Sequence, residues 1–197
     1  MIPSSAEIDL LRQAVFSEGP LPDEVWSDFI TCWQPVTYKR KSILTAAGDV
    51  EHYAYFVLDG IQRAYSLSEE QREVTLIFSY AGSFSGIIDS FQLQQPSHYY
   101  LETLSASRLL RLAYPDFARL LARHPILETW ARRATSRALS GLMERHIQQM
   151  TFSAEARFRI LLTRSPRLLQ LIPHKYIASY IGLDPATFSK LLASVKL

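Results

Sequence analysis

Apolar residues recur at helical spacing at both ends of the chain and at strand spacing between them. Residues Ser5–Phe16 set Ile8, Leu11 and Val15 on one side, which predicts a short amphipathic helix that Gly19-Pro20 brings to an end. A second helix opens at Pro22-Asp23-Glu24, with acidic residues in the first turn where the helix dipole favours them, and turns Val25, Trp26, Phe29 and Ile30 inward. Over residues 34–112 the texture changes to short runs of branched and aromatic residues. These are Val36-Thr37-Tyr38, Tyr55-Phe56-Val57-Leu58, Ile61-Gln62-Arg63-Ala64-Tyr65, Val74-Thr75-Leu76-Ile77-Phe78, Tyr99-Tyr100-Leu101 and Leu109-Leu110-Arg111-Leu112. Gly48-Asp49, Asp59-Gly60, Ala81-Gly82 and Gln95-Pro96 punctuate them. Asp59-Gly60 between two apolar runs predicts a tight hairpin. Many short strands, roughly ten residues apart, predict a small all-β barrel or roll.

Pro115-Asp116-Phe117 starts a further short helix through Leu120 and Leu121, and His124-Pro125 ends it. A long helix follows over residues 126–150. Along it Leu127, Ala131, Ala134, Ala138 and Leu142 (or Gly141) recur at alternating steps of four and three, a two-helix seam with small residues that permit close approach. That pattern predicts a dimerisation helix; packing against the chain's own β-domain is the alternative use of the same side chains. Thr151-Phe152-Ser153 interrupts it, residues 154–163 form a helix carrying Ile160, Leu161 and Leu162, and Leu168–Leu171 is another apolar turn. The expected domains are a β-roll over 1–125, the connecting helix over 126–150 and a helical domain over 151–197.

The last stretch carries the clearest pattern. Ile177, Ala178 and Ile181 make one apolar face on a short helix that Gly182 ends. Asp184 suits the N-cap of the next helix and Pro185 its first position. Phe188, Leu191 and Leu192 form the inward side of that helix, leaving Ala186, Thr187, Ser189 and Lys190 outward. Two short helices around a glycine turn predict a helix-turn-helix, whose second helix enters a DNA major groove. An ordinary helical hairpin has the same spacing.

Charge separates these readings. Residues 126–197 hold eleven Lys/Arg against four Asp/Glu, a balance of +7, whereas residues 1–125 hold ten against fifteen, a balance of −5. A basic C-terminal third on an acidic body is the footprint of a phosphate-contacting domain. The 197-residue chain is 48% hydrophobic, which marks a globular protein, and no apolar run reaches the roughly 20 residues needed to span a bilayer. Glu7 and Asp9 stand where an export signal would be basic and apolar, so the expected location is the cytoplasm. The lone Cys32, between apolar neighbours, fits a small core side chain and excludes a multi-cysteine metal site. Histidines 52, 98, 124, 146 and 174 are scattered, and no nucleophile motif is present. Gly82-Ser83-Phe84-Ser85-Gly86 has glycines at its ends but not the single central Ser of a nucleophile elbow, so no enzyme and no metal site is expected.

The order of these parts resembles the Crp/Fnr family of bacterial transcription regulators over essentially the whole chain. Gly48-Asp49 followed by Tyr55-Phe56-Val57-Leu58-Asp59-Gly60 resembles its strand-and-glycine signature, and Gly82-Ser83-Phe84-Ser85-Gly86 the start of its phosphate-binding cassette. Residues 172–182 resemble the first helix of its DNA-binding domain, especially in a subgroup common among Bacteroidetes. The resemblance implies an α+β fold: an N-terminal double-stranded β-helix or jelly roll of the cyclic-nucleotide-binding type, a dimerisation helix, and a C-terminal winged-helix-like helix-turn-helix. It also implies a homodimer on double-stranded DNA, with RNA polymerase as a further partner. The DNA-facing positions are then His174, Lys175, Pro185, Ala186, Thr187, Ser189 and Lys190. The effector pocket is Phe84, Ser85, Gly86, Ile87, Ser97, His98 and Tyr99, capped by Leu142 and Met143.

Two departures qualify these expectations. Cyclic-AMP binders of the family place a Glu and an Arg where this chain has Ile87 and Ser97. An Arg gives a phosphate two charge-assisted donors and a Ser only one hydroxyl, so a buried phosphate here would be under-compensated by several kcal/mol. Cyclic AMP is therefore disfavoured. His98 could help such a site only when protonated, and an apolar effector among Phe91, Tyr99 and Tyr100, or none, fits better. On the second helix Pro185 and Ala186 replace base-reading side chains, and Lys190 stands where Arg is usual, which weakens discrimination between bases. The chain runs only seven residues past Lys190, so a wing would have to precede the helices, over residues 164–170, which hold Arg164 and Arg167. The other function class left open is a ligand-sensing or protein-interaction dimer that has lost specific DNA binding.

Overall fold

The structure, a computed structural model, describes residues 3–166 and 168–194. Two helices, α1 (Ser5–Phe16) and α2 (Asp23–Thr31), precede eight strands. These are β1 (Trp33–Tyr38), β2 (Ile43–Thr45), β3 (Tyr53–Asp59), β4 (Ile61–Leu67), β5 (Glu73–Tyr80), β6 (Phe84–Ser85), β7 (Tyr100–Thr103) and β8 (Ser107–Ala113), with the short α3 (Ile88–Leu93) between β6 and β7. Helices α4 (Tyr114–Arg123), α5 (Pro125–Thr151), α6 (Ala154–Arg164), α7 (Leu168–Leu171), α8 (His174–Tyr180) and α9 (Pro185–Ser194) follow. The chain forms two compact units, Met1–Ser66 with Ile77–Ser136, and Leu67–Leu76 with Arg137–Leu197. The division falls inside α5 and assigns a segment of the β-region to the second unit, unlike the boundaries at 125 and 150 expected from pattern alone. Among the described residues no helix is long and apolar enough to cross a membrane.

The strands form two four-stranded sheets, ordered β1-β8-β3-β6 and β2-β7-β4-β5. Asp59-Gly60 is therefore not the turn of a hairpin: β3 and β4 lie in different sheets, and the chain crosses between them there. Gly60 has φ 90°, and a Cβ on it would meet the Ala106 carbonyl oxygen at 2.6 Å and also collide with Ser107. A glycine here satisfies a positive φ and a close backbone approach together. The turn signal identified the conformation but not the pairing partner. Strand β2 and helix α3, three and six residues long, are additions to the expected elements.

Sheet β1-β8-β3-β6 is buried on both faces. Phe56, Leu110 and Leu112 face α1, α2, α4 and the start of α5, where they meet Leu11, Val15, Phe29, Phe117, Leu127 and Trp130. Trp130 stands edge-on to Phe29 and to Phe84, each at 5.7 Å, and donates its indole N–H to the Val15 carbonyl at 3.0 Å. Alternation sends the next residues to the other face, where Tyr55, Val57 and Leu109 meet Ala64, Leu101 and Ile87 between the sheets. Leu127 and Ala131, expected on a dimer seam, are taken into the first core. A heptad pattern does not say which surface it packs on.

Among the described residues from 137 to 194 every element is helical. Residues 164–170, where a wing would have to lie despite weak strand character, form no strand among the described residues: Arg164 ends α6 and Leu168–Leu171 is a helical turn. Arg167 lies outside the described residues.

Gly60→Ala combines backbone collision with a strained φ and should cost about 4 kcal/mol or more, the range of genuine steric conflict. Gly48 has φ 95° but open space around a Cβ, so Gly48→Ala should cost only about 1–2 kcal/mol. Urea unfolding of the two variants measures the difference; equal losses would refute a crossing enforced by close approach.

Candidate nucleic-acid interface and sensor site

Helix α8 buries Ile177 and Ala178 completely, and Gly182, at φ 67°, lets the chain turn out of it. Asp184 then caps α9. Its carboxylate accepts from the Ala186 and Thr187 amides at 3.0 and 2.9 Å and from the Thr187 hydroxyl at 2.6 Å. Those bonds, that of the Thr187 side chain foremost, hold the Asp184 carboxyl below the ordinary aspartate range. Phe188 is buried, with its ring 5.4 Å from that of Phe158 on α6 and 5.6 Å from that of His174. That anchor leaves Ala186 and Lys190 exposed on the opposite face and Pro185 and Ser189 exposed at its flanks, with His174 and Lys175 exposed at the start of α8. The two expected hydroxyls are less available than their positions imply: Thr187 donates to Asp184, and Ser189 donates to the Pro185 carbonyl at 2.8 Å. Each keeps only acceptor capacity toward a partner.

A segment of the β-region belongs to this same unit. The Thr75 amide donates to Ser179 Oγ at 2.9 Å, Ser179 Oγ donates to the Glu73 carbonyl at 3.1 Å, and Arg145 donates to the Leu76 carbonyl. The Arg145 guanidinium also lies 4.6 Å over the Tyr180 ring. Residues 73 and 75 are thereby bonded to α8 and Leu76 to α5.

In the first unit Phe84, Ser85, Gly86 and Ile87 are contiguous across β6 and the start of α3. Phe84 packs into the helix-facing core, and Ile87 is buried between the sheets. Ser97 is buried too, but its hydroxyl donates to the Tyr99 carbonyl at 2.8 Å and accepts from the Tyr99 amide at 2.9 Å, closing a local turn. His98 is exposed and Tyr99 half-buried, while Leu142 and Met143 are exposed residues of the second unit.

Two buried polar groups escaped the pattern reading. Ala64 and Leu101 are opposite each other and face the space between the sheets, so their neighbours Arg63 and Glu102, also opposite, face away from it. Arg63 is 1% exposed; it donates from Nε to Glu102 at 2.9 Å and stacks on Tyr65 at 4.2 Å. Glu51 is also 1% exposed, and its carboxyl accepts from the Thr45 hydroxyl at 2.5 Å, the Tyr53 amide at 3.2 Å and the Ile87 amide at 3.4 Å. Burial nonetheless raises its pKa above the ordinary glutamate value. A raised folded-state pKa means that the fold prefers the protonated acid. The resulting stabilisation is complete below the unfolded-state pKa and is lost as pH rises through the folded one. Chemical unfolding from pH 4 upward should show stability of the first unit falling from this cause, and Glu51→Gln should flatten the slope. A slope unchanged in that variant would assign the effect elsewhere.

Residues 35–124 match the family model of the cyclic nucleotide-binding domain. No curated protein matches the sequence. Among solved structures, FixK2 from Bradyrhizobium japonicum is similar with a TM-score of 0.74 at 15% identity, over 82% of this chain and 83% of that one. Catabolite activator protein from Thermus thermophilus has a TM-score of 0.58 at 21% identity, over 92% and 85%. The c-di-GMP-responsive global regulator CLP of Xanthomonas campestris has a TM-score of 0.65 at 15% identity, over 87% and 90%. At these identities the likeness is one of fold.

Proposed function

We propose that the chain, which carries a cyclic nucleotide-binding domain and shares the fold of regulators such as FixK2 and catabolite activator protein, is a dimeric Crp/Fnr-type transcription regulator that binds double-stranded DNA through a helix-turn-helix formed by α8 and α9. The observation that carries this reading is the two-sidedness of α9: Phe188 anchors one face, and Lys190 with its small neighbours is presented on the other. Pro185 and Ala186 bring the helix backbone close to a groove without filling it, and Lys190 supplies the charge. The +7 balance of residues 126–197 supports the same reading. The occupant of the exposed part of α5 is a second copy of this chain. Leu139, Leu142, Met143, Ile147 and Met150 lie at helical spacing on that part with their side chains exposed, the kind of apolar stripe that marks an interface. Ala134 and Ala138 continue the expected seam toward it.

Lys190→Ala should weaken specific duplex binding and lower the slope of log affinity against log salt by about one per protomer. Fluorescence anisotropy across a salt series measures both. An unchanged dissociation constant would remove Lys190 from the interface.

The sensor domain, on this reading, does not take cyclic AMP in the family's usual way. Ser97 is committed to the Tyr99 backbone, Ile87 is packed between the sheets, and the Ile87 amide points to the buried Glu51 carboxyl. The fold does not commit a chain to cyclic AMP, since the structural neighbour CLP responds to c-di-GMP. A ligand bound at one hundred times its dissociation constant stabilises by about 2.7 kcal/mol, worth several degrees in Tm. Millimolar cyclic AMP should leave the Tm unchanged; a rise of several degrees would overturn this part. Loss of DNA binding altogether is the second reading, favoured by the capture of the Thr187 and Ser189 hydroxyls inside the helix.

A further inference from the structure

Within the second unit, the C-terminal half of α5, helix α6 and the end of α8 enclose a recess of about 70 Å³. A water-sized sphere needs at least 10–15 Å³ on this measure, so the space admits about five, or one tetrahedral oxyanion. Its polar lining is one-sided in charge: Arg145, Arg157 and Arg164, with Gln148, Gln149 and Tyr180, and no carboxylate among the lining residues. Existing contacts do not saturate these groups. Arg157 donates through Nη1 to the Ile181 carbonyl at 2.8 Å, but its Nε is buried with no hydrogen-bond partner among the described residues. Arg164 pairs with Glu144, leaving a single carboxylate beside three guanidinium groups. A buried guanidinium N–H without an acceptor is costly, and a lining of three guanidinium groups without a carboxylate favours an incoming oxyanion.

We propose that this recess is an anion-binding site for a compact phosphate group, with Arg157 as the central donor and Arg145 and Arg164 as flanking charges. The phosphate has two possible sources, a small phosphorylated molecule or the DNA backbone, and the chemistry of recognition is the same. The site is separate from the exposed face of α9 and does not depend on how that face reads bases.

The test is calorimetric titration of the full chain with inorganic phosphate at low salt. Saturable binding is expected, weakened at least tenfold in Arg157→Gln. Because Arg157 also holds the Ile181 carbonyl, Arg164→Gln is the second variant, expected to weaken binding while its thermal melt stays native. Arg159→Gln, on an exposed arginine paired with Glu155 on the same helix, should bind as the parent does. A salt series with non-specific duplex separates the sources. If DNA supplies the phosphate, Arg164→Gln lowers the slope of log affinity against log salt and inorganic phosphate competes with the duplex. If a small molecule does, the slope is unchanged and both ligands bind together. No saturable phosphate binding together with an unchanged slope would overturn the proposal, as would an equal loss in Arg159→Gln.

Discussion

One helix is asked to satisfy two surfaces. Helix α5 has 27 residues and is therefore about 40 Å long. At its start Leu127, Trp130 and Ala131 complete the core against the β1-β8-β3-β6 sheet, with Trp130 tied by its indole N–H to the Val15 carbonyl. Beyond that point its apolar side chains have no such cover: Met150 is 73% exposed and Leu139 58%. A helix packed into a core at one end and carrying an exposed apolar stripe along the rest gains stability by burying that stripe against a partner. The proposed second copy of the chain would cover that stripe symmetrically and set two copies of α9 for a two-fold DNA site. The dimer reading rests on that constraint more than on the heptad pattern.

The β-roll is limited in a complementary way. Crossing between sheets at Gly60 places successive strands in opposite layers, so one turn sets the interior volume that the two sheets share. Tyr55, Val57, Ala64, Ile87, Leu101 and Leu109 fill that interior. Two of its polar groups are answered internally, Ser97 by the Tyr99 backbone and Glu51 by Thr45, Tyr53 and the Ile87 amide, whereas the buried Ser85 hydroxyl has no hydrogen-bond partner among the described residues. In that setting the effector question turns on competition: a charged ligand must displace bonds that the fold already makes.

Much of the fold was legible because local chemistry and tertiary structure agree. Helix α1 has its expected bounds because Ser4 and Glu7 exchange capping bonds at its start while Leu11 and Val15 face the core. The α8–α9 pair is likewise written locally, in Gly182, Asp184 and the spacing of Ile177, Ala178 and Phe188. What pattern could not carry was partnership. Asp59-Gly60 announces a positive φ but not that β3 and β4 enter different sheets. Leu127 and Ala131 announce a buried stripe but not which surface buries them. In the candidate sites the same limit recurs. Thr187, Ser189 and Ser97 have the residue types of ligand contacts, but each hydroxyl is bonded within four residues of itself. Arg63, Glu51 and Arg157 became visible only when burial and cross-strand register were known.

The most direct test of a DNA-binding dimer is selection of bound duplexes from a random pool, with the winning sequence then titrated against salt. The account predicts an enriched two-fold-symmetric site, its half-sites about one helical turn apart, with affinity falling steeply as salt rises. Enrichment of no sequence, with only weak binding to any duplex, would contradict it.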